Sequence, residues 1–181
     1  MYNLDMPILL IINGYPGTGK TTIANQFAQK NNFALINQDI FLFQLNAFSK
    51  NKIINHQEHI ITIENIHDCL LNYMHFKKNI VLEGALVSIS NKDPIDINYF
   101  IKLAQKMKYK AVVVTLIAKE GVRVQRQKKR NYVLPRGIDE KICQAVSEVD
   151  KKINNEITID SSNYSIKTTL QKIEEVISEF N

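Results

Sequence analysis

The densest chemistry in the chain lies in eight residues, Gly14-Tyr15-Pro16-Gly17-Thr18-Gly19-Lys20-Thr21, which match the pattern G-x-x-x-x-G-K-[ST]. Three glycines, Gly14, Gly17 and Gly19, interrupted by Pro16 and Thr18, let successive backbone N–H groups curl around the oxygens of a phosphate. Lys20 has the reach to place a point charge on β- and γ-phosphates, and the Thr21 hydroxyl is a ligand type that suits Mg²⁺. The flanks supply the context that this chemistry needs. Ile8–Ile12 is a continuous apolar run of the kind found in buried parallel strands. From Thr22 to Lys30 the residues Ile23, Phe27 and Ala28 recur at helical spacing, so the loop feeds a helix whose positive dipole end adds to the anion site. An ordinary glycine-rich turn is the bland alternative. It is disfavoured because the chain holds only six glycines and three of them sit here.

Two acidic residues stand where such a site needs carboxylates. Asp39 follows a short second strand, Phe33–Ile36, and could orient an acceptor hydroxyl and take its proton; it could equally cap a short helix over Ile40–Phe48. Glu83 ends a third strand, Ile80–Leu82, and could hold Mg²⁺ through water or share base duty with Asp39. Gly84 beside it is accounted for if backbone or substrate passes close by.

The basic residues are concentrated. Residues 119–136 hold seven (Lys119, Arg123, Arg126, Lys128, Lys129, Arg130, Arg136) against the single acid Glu120, so this stretch carries more than the whole net charge of +5. Arg123, Arg126 and Arg130 are spaced i, i+3, i+7 and share one helical face. Arginines on one face suit clamping phosphates whose charge shifts during transfer, Arg123 and Arg126 on the nucleotide and Arg126 and Arg130 at the reacting group. Gly121 and Gly137 bracket the stretch, which reads as a lid over about residues 120–136. A solvated helix and a nucleic-acid groove are the alternatives; the groove is disfavoured because Tyr132 is almost the only aromatic residue interleaved.

The elements that must position these groups follow from periodicity. A helix over His56–Phe76 carries Ile60, Ile63, Leu70 and Met74 on one face. Asp93-Pro94 can open a helix over Ile95–Met107, Ala111–Ala118 is a Val-rich strand, and a helix from about Ile138 to Lys152 leads to a strand at Glu156–Ile159 and a last helix over about Ser165–Phe180. Apolar strands alternating with helices predict a single α/β domain over residues 1–181, a parallel sheet covered on both faces, with ligands beyond the carboxyl ends of the strands. There Asp39, Glu83, Lys119 and Asp160 converge with the loop.

The rest of the composition narrows the class. No apolar run approaches the roughly 18 residues of a membrane span. The N-terminus has no signal-peptide pattern, and Cys69 and Cys143 read as reduced, buried thiols, which suits a cytoplasmic protein. His56, His59 and His67 flank the apolar face of their helix without the acidic partner of a zinc-protease motif, so a metal site there is disfavoured.

Assembled, these residues resemble the small phosphate-loop (P-loop) kinases, the group that includes nucleotide, gluconate and shikimate kinases, chloramphenicol phosphotransferase and zeta toxins. The likeness lies in the Gly-rich loop, the Asp after strand two in Ile36-Asn37-Gln38-Asp39, and the strand end Leu82-Glu83-Gly84. It implies a three-layer α/β/α fold with a five-stranded parallel sheet of order 2-3-1-4-5. It also implies ATP with Mg²⁺, an arginine-bearing mobile lid, and transfer of the γ-phosphate to the hydroxyl of a small molecule. In such an enzyme Gly14, Pro16, Gly17, Thr18, Gly19, Lys20, Thr21 and Thr22 hold the nucleotide, Thr21 and Glu83 the metal, and Lys20 and Asp39 act in catalysis. A polynucleotide 5′-hydroxyl kinase and a nucleotide-hydrolysing regulator are the competing functions. The chain departs from many relatives in carrying Leu42 where they place an arginine three residues after the Asp, and Glu83 where they place Asp.

Overall fold

The computed structural model describes residues 6–45, 56–86, 97–129, 136–150, 153 and 156–179. Strands β1 (Ile8–Gly14), β2 (Ala34–Asn37), β3 (Ile80–Glu83), β4 (Lys110–Ile117) and β5 (Glu156–Asp160) form one sheet in the order β2-β3-β1-β4-β5. All four pairings are parallel, as the resemblance implies. The described helices are α1 (Lys20–Asn31), α2 (Gln38–Gln44), α3 (His56–His75), α4 (Ile97–Lys106), α5 (Glu120–Lys129), α6 (Arg136–Asp150) and α7 (Ile166–Glu179).

Successive strand residues point to opposite faces, so a strand covered on both sides must be apolar at every position. β1 shows the consequence. Leu9 and Ile11 join Ile66 and Leu70 of α3, Phe100 of α4 and Val146 of α6 on one face, while Ile8, Leu10 and Ile12 join Ile23 and Phe27 of α1 and Ile173 and Ile177 of α7 on the other. Each fully buried aliphatic side chain of this kind contributes about 1.5–3 kcal/mol by leaving water. These two cores hold β1 rigidly at the centre, which fixes the place where the loop after it begins. At the opposite end of the sheet the Tyr109 hydroxyl donates to the Lys78 carbonyl at 2.8 Å, tying the segment after α3 to the start of β4, and burial pushes its pKa up to about 12.

Several boundaries differ from the sequence expectations for local reasons. α2 starts at Gln38, not Ile40, because Asn37 caps it: its Oδ1 accepts the Asp39 N–H at 2.8 Å. Asp39 is therefore in the first turn and is not the cap. α6 starts at Arg136 rather than Ile138. Asp93-Pro94 and the start of the helix expected from Ile95 lie outside the described residues, as does the expected helix beyond Leu45. Cys69 and Cys143 are free thiols, but each is half-buried rather than buried.

Candidate functional site

The loop between β1 and α1 depends on backbone conformations that only glycine adopts easily. Gly14, Gly17 and Gly19 have φ of 138°, 78° and 96°. Two of them are also close approaches: a Cβ on Gly14 would overlap the Leu116 carbonyl of β4, and a Cβ on Gly17 would lie 2.8 Å from the Arg123 carbonyl of α5. Gly19 is the N-cap of α1 and carries no side-chain cap, and no acidic residue occupies the first turn. Lys20, Thr21 and Thr22 open α1, so their amide groups lie at the positive end of the helix dipole, where an anion is stabilised. Around the turn the Tyr15 N–H donates to Leu116 O at 3.1 Å, Thr18 Oγ1 to Tyr15 O at 2.8 Å, and Lys20 Nζ to Tyr15 O at 3.1 Å. Lys20 therefore lies across the loop.

Sheet register brings the two acids to this loop from one side. Glu83 is paired in register with Ile12 of β1 and with Asn37 of β2, so the β3 end lies between the phosphate loop and Asp39. The Thr21 hydroxyl donates to Glu83 Oε1 at 3.2 Å, and Glu83 is only 1% exposed. A hydroxyl beside a buried carboxylate is the oxygen pair that Mg²⁺ takes from a protein when phosphates and water complete its shell, so these two residues fit the metal. Among the described residues no group of three or more His, Cys, Asp or Glu could form a metal cage of its own. Asp39 stands at the mouth, open to solvent at its surface. The protein around it still displaces enough water to raise its pKa above 3.8, against the pull of the Lys20 charge. Lys20 and Asp39 thus share one electrostatic neighbourhood. Leu42, at the position where relatives carry an arginine, is buried and faces the core. Gly84 is accounted for by Gln38: an added Cβ would be 2.7 Å from the Gln38 Cβ.

The arginines approach from the other side. Arg123 is buried, forms an ion pair with Asp139 of α6 at 2.8 Å, donates to Pro16 O at 3.3 Å, and stacks over the Tyr15 ring at 5.6 Å. Arg126 donates through Nη1 to Thr18 O at 3.1 Å and to Ser161 Oγ at 3.1 Å, and through Nη2 to Ser161 O at 2.8 Å. The common face expected for Arg123 and Arg126 is real, and both grip the backbone of the phosphate loop. Asp139 and the carbonyls of Pro16 and Thr18 compensate the charge of these two arginines. Arg130 lies outside the described residues. Asp160, expected in the crevice, accepts the Ser162 N–H at 2.8 Å; the Ser162 hydroxyl first, and then this N–H, hold its pKa below the ordinary value. Of the helix histidines, His59 is buried and His67 lies 3.2 Å from Asp68.

Residues 9–145 match the AAA domain family. The chain belongs to that family. No curated protein matches it. Among solved structures it is similar to a gluconokinase from Sinorhizobium meliloti, with 13% identity, a TM-score of 0.70, and coverage of 97% of this chain and 94% of that one. It is also similar to a shikimate kinase from Aquifex aeolicus (10% identity, TM-score 0.61, coverage 95% and 97%) and a deoxyadenosine kinase from M. mycoides (16%, 0.67, 95% and 100%). This AAA domain therefore has the fold of the small P-loop kinases. Among the described residues no helix is long and apolar enough to cross a membrane.

Sequence reasoning missed three residues of this AAA domain's site. Asp139 neutralises Arg123, and its signal was being the first acid after the basic stretch. Ser161 binds both Arg126 and Thr18, and its signal was a small polar residue just past a strand end. Asn13, fully buried just before Gly14, accepts the Leu86 N–H at 3.2 Å and ties the segment after β3 to β1. A polar residue closing an apolar strand was its signal.

Proposed function

We propose that the chain is a cytoplasmic, ATP-dependent phosphotransferase that moves the γ-phosphate to a hydroxyl of a small molecule. The observation that carries this reading is the convergence of Lys20 with Asp39, a carboxylate whose proton affinity is raised, beside the Thr21–Glu83 pair. A regulator that only hydrolyses nucleotide needs no proton acceptor for an external hydroxyl; a kinase does. The kinase fold of the structural neighbours supports the same class.

In this reading the loop amides and Lys20 hold the phosphates, and Lys20 follows the charge as the bond between the γ-phosphorus and its bridging oxygen breaks. Asp39 accepts the proton of the acceptor hydroxyl as that oxygen bonds to phosphorus. Thr21 and Glu83 would hold Mg²⁺, which when bound would offset the charge of the phosphate oxygens. Arg126 has used three of its five N–H donors on the loop and Ser161, which leaves two for phosphate oxygens. The 120–136 segment acts as a lid, a reading supported by the contacts of Arg123 and Arg126 in α5 with the loop carbonyls; Arg130 shares the catalytic role on its spacing alone.

The test is Asp39→Asn, measured by ADP calorimetry and by ATP-dependent phosphorylation of a panel of sugars, sugar acids and deoxynucleosides. The proposal expects nearly unchanged ADP affinity and transfer reduced by about 10²–10⁴. A variant that loses ADP binding and transfers normally when saturated would make Asp39 a binding group and remove the base from this mechanism.

A further inference from the structure

Ser161 has no direct place in the chemistry above, yet it is buried next to the loop with both its side chain and its backbone hydrogen-bonded. It is 4% exposed, its Oγ donates to Thr18 O at 2.9 Å and accepts from Arg126 Nη1 at 3.1 Å, and its carbonyl accepts from Arg126 Nη2 at 2.8 Å. Its own N–H donates to Ile117 O at 2.8 Å. The Ser161 backbone is thus tied to the end of β4 just past β5, and the Thr18 carbonyl receives one donor from the Ser161 hydroxyl and one from Arg126.

The Thr18–Gly19 peptide is planar, and no cis bond occurs among the described residues. In a trans unit the C=O and the following N–H point in opposite directions. Holding Thr18 O against Ser161 and Arg126 therefore turns the Gly19 N–H the other way, away from β5. Gly19 adopts φ 96° at the head of α1, where rotation of that peptide meets no side chain of its own. Glycine gives the freedom and the carbonyl anchor removes it.

We infer that Ser161 is a positioning residue of the phosphate site: through the Thr18 carbonyl it presets the Gly19 N–H toward the phosphates of a bound nucleotide. This rests on the phosphate-binding part of the proposed function and extends it to a residue on β5. Preorganised donors matter because a dipole that must first be rotated into place has lost part of its interaction. Arg126 alone, at the end of a long side chain, holds the carbonyl less firmly than a hydroxyl on a backbone tied to the end of β4.

The experiment compares wild type, Ser161→Ala and Ser161→Cys, which keeps the size but weakens the donor. Affinities for ADP, inorganic tripolyphosphate and adenosine are measured, and the Gly19 amide resonance is followed by NMR. In Ser161→Ala, ADP and tripolyphosphate should bind about fivefold to tenfold more weakly, as for loss of one hydrogen bond, with adenosine unchanged. The Gly19 resonance should lose most of its response to tripolyphosphate, and Ser161→Cys should fall between. A Cys or Ala variant that binds tripolyphosphate like wild type overturns the inference, as does equal weakening of adenosine and ADP. Wild type that binds neither ADP nor tripolyphosphate overturns the proposed function as well.

Discussion

At the scale of single residues, the account rests on charge placed near phosphate. Lys20 lies across the loop on the Tyr15 carbonyl, so its removal leaves the surrounding cores untouched. Lys20→Ala should melt like wild type and lose roughly 10²–10³ in transfer rate, the usual value of one preorganised donor. Steady-state turnover beside a thermal melt checks both halves. Asp39 gives a pH signature. Its pKa is raised above 3.8 by desolvation, with Lys20 opposing, so turnover should rise with pH through a value above 3.8 as the base loses its proton. Asp39→Asn should lose that limb. The stability sign is the reverse. A raised folded-state pKa means that the native protein holds this proton more tightly, so the contribution is present below 3.8 and lost as pH rises through the folded value. Asp39→Asn should therefore be no less stable than wild type at neutral pH, with lower activity. Melts at pH 4 and pH 7 test the sign.

At the scale of elements, the site is a meeting of strand ends with α1, α2 and α5. Gly17 is where α5 touches the loop, with φ 78° and only 2.8 Å between an added Cβ and Arg123 O. Gly17→Ala should cost about 1–3 kcal/mol from the left-handed backbone and the displaced helix together, and weaken ADP binding. Equilibrium denaturation with ADP calorimetry measures both. Tyr109 tests the far end of the sheet. Tyr109→Phe leaves the Lys78 carbonyl without its donor and should cost about 1–2 kcal/mol, with ADP affinity unchanged. Because the folded-state pKa is pushed up to about 12, wild type should lose stability as pH rises above 10, where the unfolded tyrosine ionises, and the Phe variant should lack that contribution. Denaturant midpoints at pH 9 and pH 11 separate the two.

At the scale of the molecule, the parallel sheet and both faces of its core follow from apolar runs such as Ile8–Ile12, because a doubly covered strand cannot be anything but apolar, whereas the strand order came only from the resemblance to the P-loop kinases. The phosphate loop was equally legible, since three glycines with positive φ leave few alternative sequences. What periodicity could not reveal were contacts between elements far apart in the chain. The Arg123–Asp139 pair, the Ser161–Thr18 bond and the displacement of Asp39 from the cap by Asn37 each depend on which side chain reaches first, and spacing is silent on that. The basic stretch shows the limit well. Its helical face was readable, while the partners that dock it on the loop lay in α6 and after β5.

The central claim is transfer to a hydroxyl, and the fate of the γ-phosphate tests it most directly. Phosphorus NMR of ATP and Mg²⁺ with wild type would be recorded alone, with pooled sugars, sugar acids and deoxynucleosides, and with a 5′-hydroxyl oligonucleotide. The account predicts that the γ signal is converted into a phosphate ester in step with ADP, only with the small-molecule pool, and that Asp39→Asn suppresses it. Release as inorganic phosphate at the same rate in all three samples, or an ester formed only on the oligonucleotide, would contradict it.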